Sequence, residues 1–223
     1  MLYDITAQIP AFIHITTASE NDMNAMDLIP YESEAYYIFD RGYVDYTRLH
    51  KITNHTAYFV IRAKSNLKFD RMYSNKVDKI TGVLCDQIGK LAGFSVSKQY
   101  PDKLRRVKSY DEQTNRTFVF LTNNMELPDE QIALLYKNRW QVELFFKWMK
   151  QHLKIKTFWG TSENAVRIQI YSAIIAYCLV AIVGYDRKIK RSTYEMPMSK
   201  FSHQPVMILW AFHATNKNQI NNA

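Results

Sequence analysis

The stretch YKNRWQVELFFKWMK, Tyr136 to Lys150, holds two tryptophans, two adjacent phenylalanines and a methionine, yet only one carboxylate, Glu143. Arg139, Lys147 and Lys150 flank that acid. On an α-helix, at about 100° per residue, Tyr136, Arg139, Glu143, Lys147, Lys150 and Lys154 fall within roughly 80° of one another. The other directions are mostly apolar, with Leu134, Leu135, Phe145, Trp148, Met149 and Leu153. A helix apolar on most sides is buried on most sides. Unpaired charges in a core are costly, so the single polar stripe must face a cleft or solvent.

Two readings of the stripe are open. In the plain one, Arg139, Glu143 and Lys147 form an i,i+4 ladder on a solvated face, each pair contributing a few tenths of a kcal/mol. In the other, Glu143 is a hard oxygen ligand for a divalent metal and the cations hold phosphates. Mg²⁺ takes one or two protein carboxylates and fills its shell with phosphate and water. Arg and Lys match an anionic backbone by fork and by point charge. A second carboxylate would decide between them. Asp40 is the candidate, because it follows the apolar run AYYIF (Ala35–Phe39), just outside a strand end where α/β proteins place working residues. Its plain alternative is a turn cap before Gly42.

The chain around this stretch is a globular one. Its 223 residues are enough for one large domain or a domain with an inserted module. Hydrophobic residues reach 47%, which excludes a disordered composition. Lys and Arg outnumber Asp and Glu by 29 to 21, a balance that favours an anionic partner, nucleic acid first. Cys85 and Cys178 form no C-x-x-C, and no His pair has ligand spacing, so a zinc site is excluded and a reduced, cytoplasmic setting is expected. The start, MLYDITAQIP, has no charged leader before an apolar core. The longest apolar run, IQIYSAIIAYCLVAIV (Ile168–Val183), is interrupted by Gln169 and Ser172 and is shorter than a span of about 20 residues. It reads as a helix buried in the core, not as a membrane segment.

Along the chain, residues 1–63 read as mixed strand and helix. A strand is expected over Ile9–Thr16, a short helix capped at Ser19 or Asn21, a buried strand over Ala35–Phe39, a helix over Tyr46–Thr53 and a strand over Ala57–Ala63. Residues 64–116 are polar, glycine-punctuated and locally basic, which suits a β-rich module of antiparallel hairpins. Arg105 and Arg106 are its candidate DNA contacts, with solvated edge-strand charge as the plain alternative. Residues 117–194 return to a buried strand (Arg116–Asn123), a long helix opened by Pro128 and Asp129 that contains Glu143, and, after a break at Gly160 and a cap at Ser162, the apolar helix. Residues 195–223 form a tail with no such pattern.

Tyr136, Arg139, Glu143 and Lys150 together match Y-x2-R-x3-E-x6-K without a gap. This resembles the signature of a large group of bacterial insertion-sequence DDE transposases with an RNase H-like core. DRGYVD (Asp40–Asp45) is similar to the block around that family's second catalytic Asp, and GTSENAV (Gly160–Val166) to its downstream segment. The resemblance covers about residues 1–194. It implies an α/β fold with a β-rich insertion and a metal-dependent DNA transposase. Asp40 and Glu143 would be the second and third acids, each a metal ligand for two Mg²⁺ or Mn²⁺ ions that drive in-line transfer at phosphorus. Tyr136, Arg139, Lys147 and Lys150 would grip the DNA of transposon ends and target, in a homodimer on that DNA, near the bacterial nucleoid.

The chain departs from the family in two places. The family's first catalytic Asp stands on a strand upstream of the part that LYDITAQIPAFIHIT resembles, so a core lacking its first strand, and a chain inactive by itself, are expected. Asp4, at a hairpin turn, is not expected to substitute. The tail from Met196 to Ala223 does not resemble a family C-terminus. A metal-dependent nuclease on the same core and a catalytically dead DNA-binding remnant are the rival readings.

Overall fold

A computed structural model describes residues 1–16, 21–152, 159–160, 162–186 and 206–209. The chain opens with a hairpin, β1 (Leu2–Asp4) and β2 (Ile9–Phe12), shorter than the strand expected over Ile9–Thr16. Its turn is built by Asp4, whose Oδ1 accepts from the backbone N–H of Thr6 and Ala7 at 2.7 and 3.0 Å. A 3₁₀ helix over Asp22–Asp27 follows, capped by the Asn21 side chain, which accepts from Met23 N; Ser19 lies outside the described residues.

The buried run then forms β3 (Tyr36–Phe39), followed by α1 (Tyr46–Asn54) and β4 (Tyr58–Arg62). β3 and β4 pair in parallel, Tyr36 opposite Tyr58 through Phe39 opposite Ile61. A parallel pair needs a crossover, and α1 supplies it, started by the Asp45 side chain accepting from Arg48 N at 3.0 Å. All four residues of β3 are buried, as a strand covered on both faces requires.

Antiparallel hairpins follow β4 and share the main sheet. β5 (Phe69–Asn75), β6 (Val83–Leu91), β7 (Leu104–Asp111) and β8 (Arg116–Thr122) run as an antiparallel meander, with a short helix α2 (Phe94–Gln99) between β6 and β7. β8 returns to pair with β4, so the meander extends one continuous sheet.

The long helix expected after Pro128 is two helices. α3 (Asp129–Lys137) ends at Asn138, and α4 (Trp140–His152) starts after Arg139. Across the break the bonds tighten to i→i+3: Arg139 N donates to Tyr136 O, Gln141 N to Asn138 O and Val142 N to Arg139 O. Asn138 is buried, so packing holds this turn in place. Residues 153–158, including Leu153 and Lys154, lie outside the described residues. α5 (Glu163–Asp186) begins as expected, with Ser162 Oγ accepting from Ala165 N at 3.3 Å.

The last described element is β9 (Val206–Leu209), within the segment read as a patternless tail. It lies between β1 and β3, antiparallel to the first and parallel to the second. Among the described residues the sheet therefore has nine strands, in the order β2-β1-β9-β3-β4-β8-β7-β6-β5. β9 thus lies in the interior of a continuous sheet.

Alternate side chains divide the core. Tyr37, Phe39, Leu49, Ile52, Met207 and Leu209 cluster on the α1 face. Tyr36, Ile38, Ile132, Leu135, Phe145, Ile174, Val206 and Ile208 cluster on the face of α3, α4 and α5. Layers of helix, sheet and helix make the mixed α/β architecture of an RNase H-like fold.

Two sequence expectations are corrected here. α5 is not buried all round. Tyr177 packs on Phe145 and Trp148, with centroids 4.7 and 5.2 Å apart, while Ile168, Tyr171, Ile175, Leu179 and Ile182 are exposed on the opposite side. By length and composition alone Glu163–Val183, with mean hydropathy 2.0, is also long and apolar enough to cross a membrane. The shorter window read from the sequence missed this, because the helix extends N-terminally to Glu163. The second correction is Arg105, the expected DNA contact. It is 4% exposed and donates through Nε and Nη2 to both oxygens of Asp86, each at 2.8 Å, and through Nη1 to Leu127 O at 2.5 Å. A buried guanidinium anchored through all three of its nitrogens cannot reach for a phosphate. Arg105 pins β7 to β6 and to the entry of α3.

Two outcomes follow for urea unfolding. Asp86→Ala strands a buried guanidinium and lowers stability by about 3–5 kcal/mol, whereas replacing both partners with apolar residues costs much less. On α5, Ile174→Ala (8% exposed) costs about 2–4 kcal/mol, while its neighbour Ile175→Ala (58% exposed) changes stability by no more than about 0.5 kcal/mol.

Candidate active site

Asp40 is the first residue beyond β3. Its backbone remains extended, with φ −75° and ψ 162°, so strand alternation continues one step onto the face of Tyr36 and Ile38. It precedes the 3₁₀ turn Arg41–Tyr43, but its side chain makes no capping bond there. Instead Asp40 Oδ1 accepts a hydrogen bond of 2.8 Å from the hydroxyl of Tyr136 on α3. The turn-cap reading of Asp40 fails on this contact.

Tyr136 is held by its ring. Phe120 on β8 lies 4.8 Å away centroid to centroid, and Phe118 lies 6.5 Å away. Burial, and then the bond to Asp40, push the phenol well above the usual tyrosine range, so its hydroxyl stays a donor at any physiological pH. The Arg139 guanidinium stands 5.8 Å from the Tyr136 ring centroid. Its Nη2 donates to Glu143 Oε1 at 2.9 Å, and the two side chains remain 20% and 27% exposed. The i,i+4 pair of the plain reading therefore exists, but it does not stand on a free surface. Asp40, Tyr136, Arg139 and Glu143 form one contiguous chain of contacts that joins the end of β3 to the first turn of α4.

α4 fixes Glu143 by packing. Val142, Phe145 and Met149 are buried against the sheet, and Phe145 meets Tyr3 with centroids 5.1 Å apart. The carboxylate lies in the helix's first turn, where the macrodipole favours an anion. Lys147 and Lys150 follow on the next turns of α4 and are exposed. Arg106 points to the other side of the sheet from Asp40: it donates to Gln87 Oε1, and its guanidinium lies 5.2 Å from the Phe69 ring, part of the α1-face cluster. Both arginines proposed from the module are thus outside this site.

Arg62 beside the site, and two asparagines at the opposite end of β3 and β4, escaped sequence reading. Arg62 ends β4, and the β3–β4 register sets it beside Asp40; its guanidinium covers Phe118 at 4.8 Å and helps offset the upward push on Tyr136. Asn124, buried, donates to Tyr36 OH at 2.8 Å and accepts from Glu126 N and Leu127 N, which sets the approach to α3. Asn123 ties β8 to α1 and β4 through Thr53, Ala57 O and Phe59 N. The Asn-Asn pair just after a buried strand was the available signal, since Asn side chains mimic a backbone turn. Among the described residues no three His, Cys, Asp or Glu side chains gather as a metal cage.

Known proteins resemble the chain over most of its length. Residues 1–179 match the family described as "Transposase DDE domain". The chain is 40% identical over 214 residues to "Putative transposase y4zB" of Sinorhizobium fredii, covering 94% of this chain and 58% of that protein. It is 30% identical over 205 residues to "Probable transposase for insertion sequence element IS5377" of Geobacillus stearothermophilus, covering 89% and 52%. A third relative, "Putative transposase for insertion sequence element IS4SA" of Synechocystis, is 30% identical over 154 residues, covering 66% and 40%. The chain spans about half the length of the first two relatives. With residues 1–179 matched by the family model, the chain belongs to the DDE transposase family.

Proposed function

We propose that this chain is catalytic-core sequence of an insertion-sequence DNA transposase, with Asp40 and Glu143 as metal ligands and Tyr136, Arg139, Lys147 and Lys150 as DNA contacts. The observation that carries this reading is the bond between Tyr136 and Asp40, residues 96 positions apart. It brings the second-acid block and the helix pattern to one place, where Arg139 engages Glu143. Residues 1–63 and 117–194 are read as the two parts of the catalytic core and 64–116 as the module between them. The cation-rich helix surface and the +8 net charge suit DNA as substrate and a place beside bacterial DNA in the cytoplasm. A homodimer on DNA belongs to the same reading.

Two carboxylates suit one Mg²⁺ or Mn²⁺, which needs only one or two from the protein. They fall short of a pair of ions, for which no further described ligand is at hand. When bound, such an ion activates an attacking oxygen or stabilises a leaving one at phosphorus. The chain's own groups orient. Tyr136 on α3 holds Asp40, and Arg139 holds Glu143 until an incoming phosphate competes for the guanidinium. Arg62 adds a cation at the end of β4 beside Asp40. That no third carboxylate joins Asp40 and Glu143 among the described residues favours, as a second reading, a chain that binds DNA and cuts it negligibly.

Two measurements test these readings. DNA affinity falls steeply with salt, and replacing both Lys147 and Lys150 by Ala reduces the slope of log affinity on log salt by roughly two, since each lost phosphate contact removes about one. With Mg²⁺ or Mn²⁺ the chain shows negligible cleavage of duplex DNA. Robust cutting that Glu143→Gln abolishes would establish that another residue completes the site; salt-independent binding would remove DNA as the substrate.

A further inference from the structure

β9 is the described strand with the largest mismatch between its place in the sequence and its place in the fold. Residues 187–205 separate it from α5, yet it occupies the interior of the sheet. Both of its edges are paired. Leu209, Ile208 and Met207 stand opposite Leu2, Tyr3 and Asp4 of β1. Val206, Met207 and Ile208 stand opposite Tyr36, Tyr37 and Ile38 of β3, and Ile5 N donates to Val206 O at 2.9 Å. All four side chains are buried, Val206 and Ile208 on one face and Met207 and Leu209 on the other.

Each neighbour of β9 has a second strand partner. β1 has its hairpin partner β2, and β3 has its parallel partner β4 through α1. Every other strand pairs with one that lies next to it in sequence; β9 does not. Without it, two inner strand edges face each other across one strand's width, lined by apolar side chains on both faces. Such a gap binds a strand by main-chain hydrogen bonds on both sides and by alternate side-chain pockets above and below. A four-residue strand brings little structure of its own, so the gap supplies the order.

We propose that the gap between β1 and β3 is a strand-binding site, and that β9 occupies it in cis as an exchangeable insert. The ligand class is an extended peptide of four or more residues, apolar on both faces, running parallel to β3 and antiparallel to β1. The register gives this site a bearing on the proposed function, and that part alone rests on the metal-ligand reading. Leu209 lies at the level of Phe39, one residue short of Asp40. An occupant continuing in that register carries its next residue toward Asp40. From Met196 to Ala223 the chain has no Asp or Glu, so the segment that holds β9 closes the sheet and brings no carboxylate to it.

The test uses the full chain with Cys85→Ser and Cys178→Ser. Leu2→Cys and Leu209→Cys are register partners on one face and are expected to oxidise to an intrachain disulfide that locks β9 in place. In a second chain Ile208→Pro removes a strand N–H and loosens β9. A labelled peptide of residues 204–211 is expected to bind the Ile208→Pro chain at least tenfold tighter than the oxidised chain, and a peptide carrying Pro at 208 is expected to bind neither. Equal binding to both chains overturns the exchangeable site. Failure to form the disulfide overturns the placement of β9, and a disulfide between two chains assigns the site to a second copy. If Ile208→Pro unfolds, the disulfide chain decides alone: peptide binding must appear on reduction and vanish on oxidation.

Discussion

Burial of β3 on both faces is the constraint on which the rest of the structure depends. Four consecutive large side chains, Tyr36 to Phe39, can be covered only if the strand runs inside the sheet with helices above and below. That requirement calls for α1 as the crossover to β4 and sets α3, α4 and α5 against the other face. It also places Asp40. The first polar residue after a fully buried strand emerges at the sheet's end, and its parity sends it toward the helices that carry Tyr136 and Glu143. The candidate site is thus a product of the core's geometry.

The site's chemistry is built on borrowed rigidity. Tyr136 donates to Asp40 from a ring clamped by Phe120, and Arg139 engages Glu143 from the tight turn between α3 and α4. That turn changes what a helical wheel could show. A continuous helix would carry the stripe through by rotation alone; the break lets α3 hold Asp40 while α4 packs Phe145 and Met149 into the core.

What was legible in the sequence depended on range. β3, α1 and β4 are spelled by local apolar runs and an N-capping Asp, so they were readable in place. The meander was readable as hairpins because its glycines and alternating residues act locally. Arg105 was not, because its burial depends on Asp86 on the neighbouring strand and on Leu127 O beyond the next hairpin. The face of α5 was not, because a helix apolar on every side carries no periodic sign of which side is covered. β9 was missed because VMIL is a four-residue apolar run in a segment without other signals. The spacing of Tyr136, Arg139, Glu143 and Lys150 was legible, and both the strand-end position and the resemblance offered Asp40 as its partner; the tyrosine that joins them shows no preference for that partner in one dimension.

A strand at the sheet's interior that arrives so late in the sequence shapes how the molecule is made. The β1–β9 pairing joins residues about two hundred positions apart, and closing so long a loop is entropically slow. On the ribosome, β1–β2 and β3–β4 can form while the residues of β9 have yet to be synthesised. Through that interval two unpaired edges lie open, and such edges recruit whatever extended chain is near. The nascent protein is therefore most vulnerable to aggregation before β9 emerges, and a chaperone that shields strand edges would act on it then.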